Sequence, residues 1–166
     1  QVHNLRGTAV QLETMQAWKE QGRFRHIGVT TSNERQYEQL IEVMENNTLD
    51  FIQVDYSLGN RSAADRVLPL ARDRGIAVLT NLPFGRGRLF NAVGDRPLPD
   101  WAADIDATSW AQLFLKYVMS HASTPIPIPG TTKPHHAEDN IQAATGPLPD
   151  ANLRAEMERF IDPLLA

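Results

Sequence analysis

The residues able to do chemistry gather where short apolar runs end. His3 closes the first run, Gln1-Val2-His3, and Asn4 follows it. Thr30, Thr31, Ser32 and Asn33 follow the run at 26–29, and Gln53 and Asp55 lie in and after the run at 51–54. Asn81 and Leu82 end the run at 76–80 and lead into Gly85-Arg86-Gly87-Arg88-Leu89. Gly130-Thr131-Thr132-Lys133 follows the run at 124–129. Two of these exits set Gly beside a cation. Gly lets backbone come close to a ligand, and amide N–H groups with Arg or Lys hold an anion. The pattern suits a polar ligand that carries phosphate. Singly, each group has a plainer reading. His3 would be a histidine satisfied at a strand end, the threonines would cap the next helix, and Gly-Arg-Gly-Arg would be a solvated basic turn.

Other chemistries lose ground. No Gly-x-Gly-x-x-Gly follows a strand and no Gly-x-x-x-x-Gly-Lys is present, so neither a Rossmann dinucleotide site nor a P-loop is expected. The chain has no Cys, which removes thiol catalysis, disulfides and Cys-zinc sites. His135-His136 suggests a metal, but no third ligand stands at usable spacing, so none is expected. Lys+Arg 16 against Asp+Glu 20 leaves a net charge of -4, unlike a non-specific nucleic-acid binder. No apolar run approaches the roughly 20 residues of a membrane span, and no signal-peptide pattern opens the chain. The default expectation is a cytoplasmic protein with no membrane and no nucleic-acid partner.

The elements that must position these groups alternate in type. Helical spacing appears at Val10, Met15 and Trp18 after a capping-box pattern, Thr8-x-x-Gln11. It recurs at Tyr37, Leu40, Ile41 and Met44 after Ser32, then at Ala63, Val67, Leu70 and Ala71. Trp110, Leu113, Phe114, Tyr117 and Val118 follow Ser109, and their aromatics read as core packing. Two more helices, over about 134–144 and 150–165, finish the chain. The order is one strand, four helix–strand units and two helices. That implies parallel strands joined by helical crossovers. Strands apolar throughout suggest cover on both faces. Residues 84–106 are too long for an ordinary connection and read as a functional loop. An open doubly wound sheet and a piece of a (β/α)8 barrel both fit, and in either fold ligands meet the C-terminal strand ends.

In their order, these segments resemble the aldo-keto reductase family. Gln1-Val2-His3-Asn4 is similar to the family's fourth-strand exit, and residues 22–30 to the stretch leading into its fifth strand. Gln53 with Asp55-Tyr56-Ser57 is similar to the sixth-strand pattern, and residues 82–89 to the seventh-strand loop. Ile128-Pro129-Gly130-Thr131 with Glu138-Asp139-Asn140 and Ala143 is similar to the eighth-strand exit and its helix. The resemblance implies a (β/α)8 TIM-barrel-type α/β fold, here a partial barrel of about five parallel strands. It implies an NADPH-dependent oxidoreductase reducing aldehydes or ketones to alcohols by hydride transfer. The alternative is an inactive protein of the same fold that binds or senses the cofactor.

The resemblance assigns His3 to the catalytic site, polarising a small-molecule carbonyl. Thr30, Thr31 and Gln53 would hold the nicotinamide amide. Asn81 stands where many members carry an aromatic that stacks on that ring. Leu82, Gly85, Gly87 and Leu89 would meet the pyrophosphate through their backbone. Gly130, Thr131, Lys133, His136, Asp139 and Asn140 would hold the adenosine phosphate end. Nothing here matches the family's catalytic Asp, Tyr and Lys, which lie earlier in its barrel. A whole barrel needs about 250 residues, so residues 1–166 read as one domain, the C-terminal part of such a barrel. Its sheet edges would call for the missing N-terminal half or for self-association. Pro125, Pro127 and Pro129 alternate, so Ile126 and Ile128 should supply the donors toward the preceding strand.

Overall fold

A computed structural model describes residues 1–166. Its sheet has four parallel strands, β1 (Gly28–Thr30), β2 (Phe51–Asp55), β3 (Ala77–Asn81) and β4 (Ile126–Pro127), in the spatial order β1-β2-β3-β4. Sequential order without a reversal removes the doubly wound alternative, which reverses at a switch point. It is the order of an arc of barrel wall. The helices are α1 (Thr8–Glu20), α2 (Tyr37–Asn46), α3 (Val67–Asp73), α4 (Arg88–Val93), α5 (Trp110–Met119), α6 (Pro134–Gln142) and α7 (Ala151–Leu165). None is long and apolar enough to cross a membrane.

The expected first strand contracts to one parallel bridge, Val2 with Val29. Val2 N–H donates to Gly28 O at 2.9 Å and Thr30 N–H donates to Val2 O at 3.0 Å. The strand stops there because Asn4 and Leu5 turn the chain at φ 52° and 54°. The last strand is also short. Pro125, Pro127 and Pro129 lack N–H groups, and Ile128 N–H donates to Thr80 O at 3.0 Å, toward the neighbour as expected. The open edge of β4 therefore carries carbonyls without donors, which blunts strand addition.

β1 is buried throughout, whereas β2 and β3 alternate, with helices covering one of their faces. Ile52, Val54, Val78 and Thr80 are buried under the helices, whereas Gln53, Asp55, Leu79 and Asn81 are half-buried on the other face. Alternation gives the two sets opposite directions, and the inner face of an unclosed arc meets solvent. The same openness leaves Ile126, Ile128 and Ile141 exposed near the β4 edge.

α5 is buried along Ala111–Val118 on every side, not on one stripe. Its polar members are tied down: Lys116 Nζ donates to the carbonyls of Thr145 and Pro147, so this buried ammonium caps the chain after α6. Desolvation lowers its pKa. Ser109 Oγ caps α5 by accepting from Gln112 N–H, and Asp150 caps α7 through Leu153 N–H. The capping box at α1 does not form. Gly7 takes the cap position, and Thr8 Oγ1 and Gln11 Nε2 reach back to the carbonyls of Leu5 and Arg6. Asn33 rather than Ser32 caps the turn ahead of α2, since its side chain accepts from Arg35 N–H. Residues 84–106 are not a loose loop. They fold into α4 and two short turns of 3-10 helix.

Two close contacts set the β1–β2 seam. A Cβ on Gly28 would stand 2.2 Å from Phe51 O. Asp50 accepts from Lys19 Nζ at 2.6 and 2.7 Å and from Ile27 N–H at 2.7 Å, joining the end of α1 to the starts of both strands. The Lys19 hydrogen bond leads the causes that hold the Asp50 carboxyl below its ordinary range. Gly28→Ala should lower unfolding free energy by about 1–3 kcal/mol, measured by urea denaturation; an unchanged midpoint would contradict the close approach. For Asp50, the folded state binds its proton less readily than the unfolded chain. Its contribution is therefore present above the ordinary carboxylate pKa and is lost as pH falls through the depressed value. Asp50→Asn should flatten that acid limb of a plot of thermal midpoint against pH.

Candidate functional site

Because the strands are parallel and contiguous, their C-terminal ends share one rim. The structure sorts the expected residues along it into three groups. His3, Thr30, Thr31 and Gln53 stand at the β1–β2 end. Asn81, Leu82, Gly85, Gly87 and Leu89 occupy the exit of β3. Gly130, Thr131, Lys133, His136, Asp139 and Asn140 lie after β4 and along α6.

At the first group, Gln1 Nε2 donates to Gln53 Oε1 at 3.3 Å, so the segment bearing His3 reaches across the inner face to β2. His3 is exposed, and its Nε2 lies 3.1 Å from Asn4 Nδ2. An amide nitrogen only donates, so Nε2 is the acceptor there and Nδ1 carries the hydrogen. Asn4 and Leu5 hold left-handed backbone, which Asn tolerates and which costs Leu5 about 1–2 kcal/mol. Thr31 is fully buried, and its hydroxyl donates to Gln36 Oε1 at 2.7 Å. That hydroxyl is spent inside the protein.

At the exit of β3, Leu82, Gly85, Arg86 and Gly87 all have positive φ, from 52° to 86°. A run of such residues turns the chain sharply out of the sheet. Leu89 is buried at the start of α4. Asp55 and Asn81 are register partners on β2 and β3. Asp55 Oδ2 accepts from Asn60 Nδ2 at 3.0 Å, while Asp55 Oδ1, Asn81 Oδ1 and Thr80 Oγ1 are buried without partners. Burial is the largest cause that pushes the Asp55 carboxyl above its ordinary range, and Glu34 adds to it against Asn60 and Arg86. A proton on Asp55 would turn one orphan acceptor into a donor.

The third group, Lys133 excepted, lines a cavity of about 450 Å³. Gly130, Thr131, His136, Asp139 and Asn140 form its polar side, and Phe84, Phe90 and Trp110 its apolar side. The phenyl rings of Phe84 and Phe90 lie 4.9 Å apart, and Trp110 stacks on Phe114 at 5.6 Å. Asp139 lines this cavity with its carboxylate already engaged. Its carboxylate accepts from Ser109 Oγ at 2.7 Å and Gln112 Nε2 at 2.6 Å, tying α6 to the start of α5. Thr131 Oγ1 accepts from Lys133 N–H at 3.1 Å ahead of α6, with Pro134 in the first turn. The sequence pattern missed Phe84 and Phe90, six residues apart in the segment read as a loop, and took Trp110 for core alone. Two aromatics in that segment were the available signal. No cluster of three or more His, Cys, Asp or Glu side chains is arranged to hold a metal ion.

The profile of the Aldo/keto reductase family matches residues 1–158. An uncharacterized oxidoreductase of Schizosaccharomyces pombe is 31% identical over 137 residues, covering 81% of this chain and 42% of its own length. A probable aldo-keto reductase of Glycine max is 25% identical over 166 residues, covering 84% and 47%. The chain thus spans less than half the length of these relatives. An aldo-keto reductase from Klebsiella pneumoniae, solved in complex with NADPH, superposes with a TM-score of 0.71 at 21% identity over 90% of this chain and 52% of its own. The holo form of one from Bacillus halodurans gives 0.66 at 20% identity over 93% and 55%. At those identities the superposition speaks for the fold, a (β/α)8 barrel of which these strands form one arc. The chain belongs to the aldo/keto reductase family.

Proposed function

We propose that residues 1–166 are one domain, the C-terminal arc of an NADPH-dependent reductase that converts aldehydes or ketones to alcohols. The observation that carries this reading is the cavity at α6. It offers aromatic walls on one side and polar groups on the other, and it lies on the same rim as His3. An adenine ring fits such a slot between Phe90 and Asn140. The backbone at Gly130 and Thr131, the start of α6 and the side chains of Lys133 and His136 suit its phosphates. Asp139 serves that end as a strut for α6. The turn at Leu82, Gly85, Gly87 and Leu89 supports a pyrophosphate through backbone groups. Gln53, half-buried on the inner face, would meet a carboxamide, while Thr30 is buried at the end of β1. Asn81 offers a hydrogen bond where a stacking ring would otherwise lie, so the fit is strongest at the α6 end.

When bound, the cofactor supplies a hydride to the carbonyl carbon. His3 would steady the oxygen on which charge develops. To donate from Nε2, it must release the Asn4 amide and shift its hydrogen from Nδ1. The proton acid is not found beside it. All three tyrosines are engaged elsewhere: Tyr37 with Asp55 O, Tyr56 with Arg154, and Tyr117 with Glu158. Lys19 is paired with Asp50, Lys116 is buried against Thr145 and Pro147, and Lys133 sits at α6. The second reading, a cofactor-binding protein without turnover, follows only if no N-terminal half supplies that acid.

Nicotinamide fluorescence tests the reading. Phe90→Ala should weaken NADPH binding by about tenfold, the scale of one lost ring stack. Lys133→Ala should weaken NADPH and leave NADH unchanged. No binding of NADPH by the parent chain would refute both readings. NADPH consumption with a panel of aldehydes should be flat for residues 1–166 alone; steady turnover would show that this chain carries its own proton acid.

A further inference from the structure

We infer that Gln36 is a positioning residue that straps the His3 turn to the end of β1 through the buried hydroxyl of Thr31. Thr31 would then act through His3 and not on the cofactor. Four observations converge on it. Thr31 is fully buried and its hydroxyl donates to Gln36 Oε1 at 2.7 Å. The other end of the same amide, Gln36 Nε2, donates to Asn4 O at 3.3 Å. Asn4 and Leu5 are held in left-handed backbone, which Asn tolerates and Leu does not favour. Asn4 Nδ2 in turn contacts His3 Nε2 at 3.1 Å. A chain of hydrogen bonds thus runs from the core at Thr31 to the exposed imidazole.

The residue types suit the task. Between a hydroxyl that donates and a carbonyl that accepts, the bridging group must accept at one end and donate at the other. Among side chains of that reach, a primary amide does so without changing protonation state. The amide is itself fixed in place. Gln36 N–H donates to Asn33 O at 2.9 Å, and Thr31 Oγ1 accepts from Asn33 N–H at 3.1 Å, closing the turn between β1 and α2. Without the strap, the Val2–Val29 bridge and the Gln1 Nε2 to Gln53 Oε1 bond, at 3.3 Å, tie the His3 segment to the sheet, and the Arg6 N–H to His3 O bond, at 3.2 Å, closes its turn. A carbonyl partner needs the imidazole in one direction, and misplacement by about 1 Å costs a catalyst on the order of a hundredfold. The inference rests on the proposed function only in taking His3 as the group that meets the carbonyl.

The test uses the full chain labelled with 15N and 13C. Gln36→Leu, Gln36→Glu and Thr31→Val should shift the His3 ring signals and speed exchange of the Arg6 amide by about tenfold. Thr31→Ser keeps the hydroxyl and should retain the parent signals, which a general packing defect would not do. Gln36→Glu keeps the acceptor for Thr31 but loses the donor to Asn4, so it separates the two links. Unchanged His3 and Arg6 signals in Gln36→Leu would overturn the inference. If that variant does not fold, Thr31→Val against Thr31→Ser decides, and equal signals in the two overturn it. NADPH binding is read separately. Loss of the His3 response with binding intact removes the strap alone, and a strap response without binding removes the proposed function alone.

Discussion

The parallel ladder between β2 and β3 is the constraint from which the rest follows. Five register pairs, from Phe51–Ala77 to Asp55–Asn81, lock the two strands without slippage. A slip of β3 by one residue would turn Val78 and Thr80 away from the helices while Ile52 and Val54 stayed buried. Held in this register, every strand exit lies at the same end of the sheet. Gly28 extends the lattice to β1, because only a missing Cβ lets that strand lie against Phe51. Residues far apart in the chain, from His3 to Asn140, thereby share one rim.

The two faces of the arc obey different physics. Toward the helices, burial of apolar side chains drives packing; Lys116 there is held by two carbonyls, and Thr80 Oγ1 is buried without a partner. Toward the inside, Gln53, Asp55 and Asn81 remain half-buried, and some of their oxygens lack partners. Unsatisfied buried acceptors cost stability. A fold retains them where something else gains, and here they stand at the exits that the proposed function uses.

The same division appears within the site. Thr31 and Asp139 have spent their hydrogen-bonding capacity on the protein, while His3, Gln53 and Asn140 face the open rim or its cavity. Residue type alone does not separate the two sets. A buried hydroxyl that braces a turn and an exposed one that meets a ligand are the same letter in a sequence.

The alternation of elements, the parallel strands and the polar exits were legible in the residues, because each depends on spacing within a few positions. The periods of Tyr37, Leu40, Ile41 and Met44, and the caps at Ser109 and Asp150, needed no distant contact. The ordered motifs, from Gln1-Val2-His3-Asn4 to Glu138-Asp139-Asn140, were enough to mark the family. Tertiary structure alone decided where the first strand stops, that the inner face is open, and that residues 84–106 fold into helix. It alone made Phe84, Phe90 and Trp110 walls of a cavity, and bound Asp139 to Ser109 and Gln112. Each of these rests on a partner about thirty or more positions away or on the closing of a space between elements. No local pattern encodes such a neighbour; it exists only once the chain has packed.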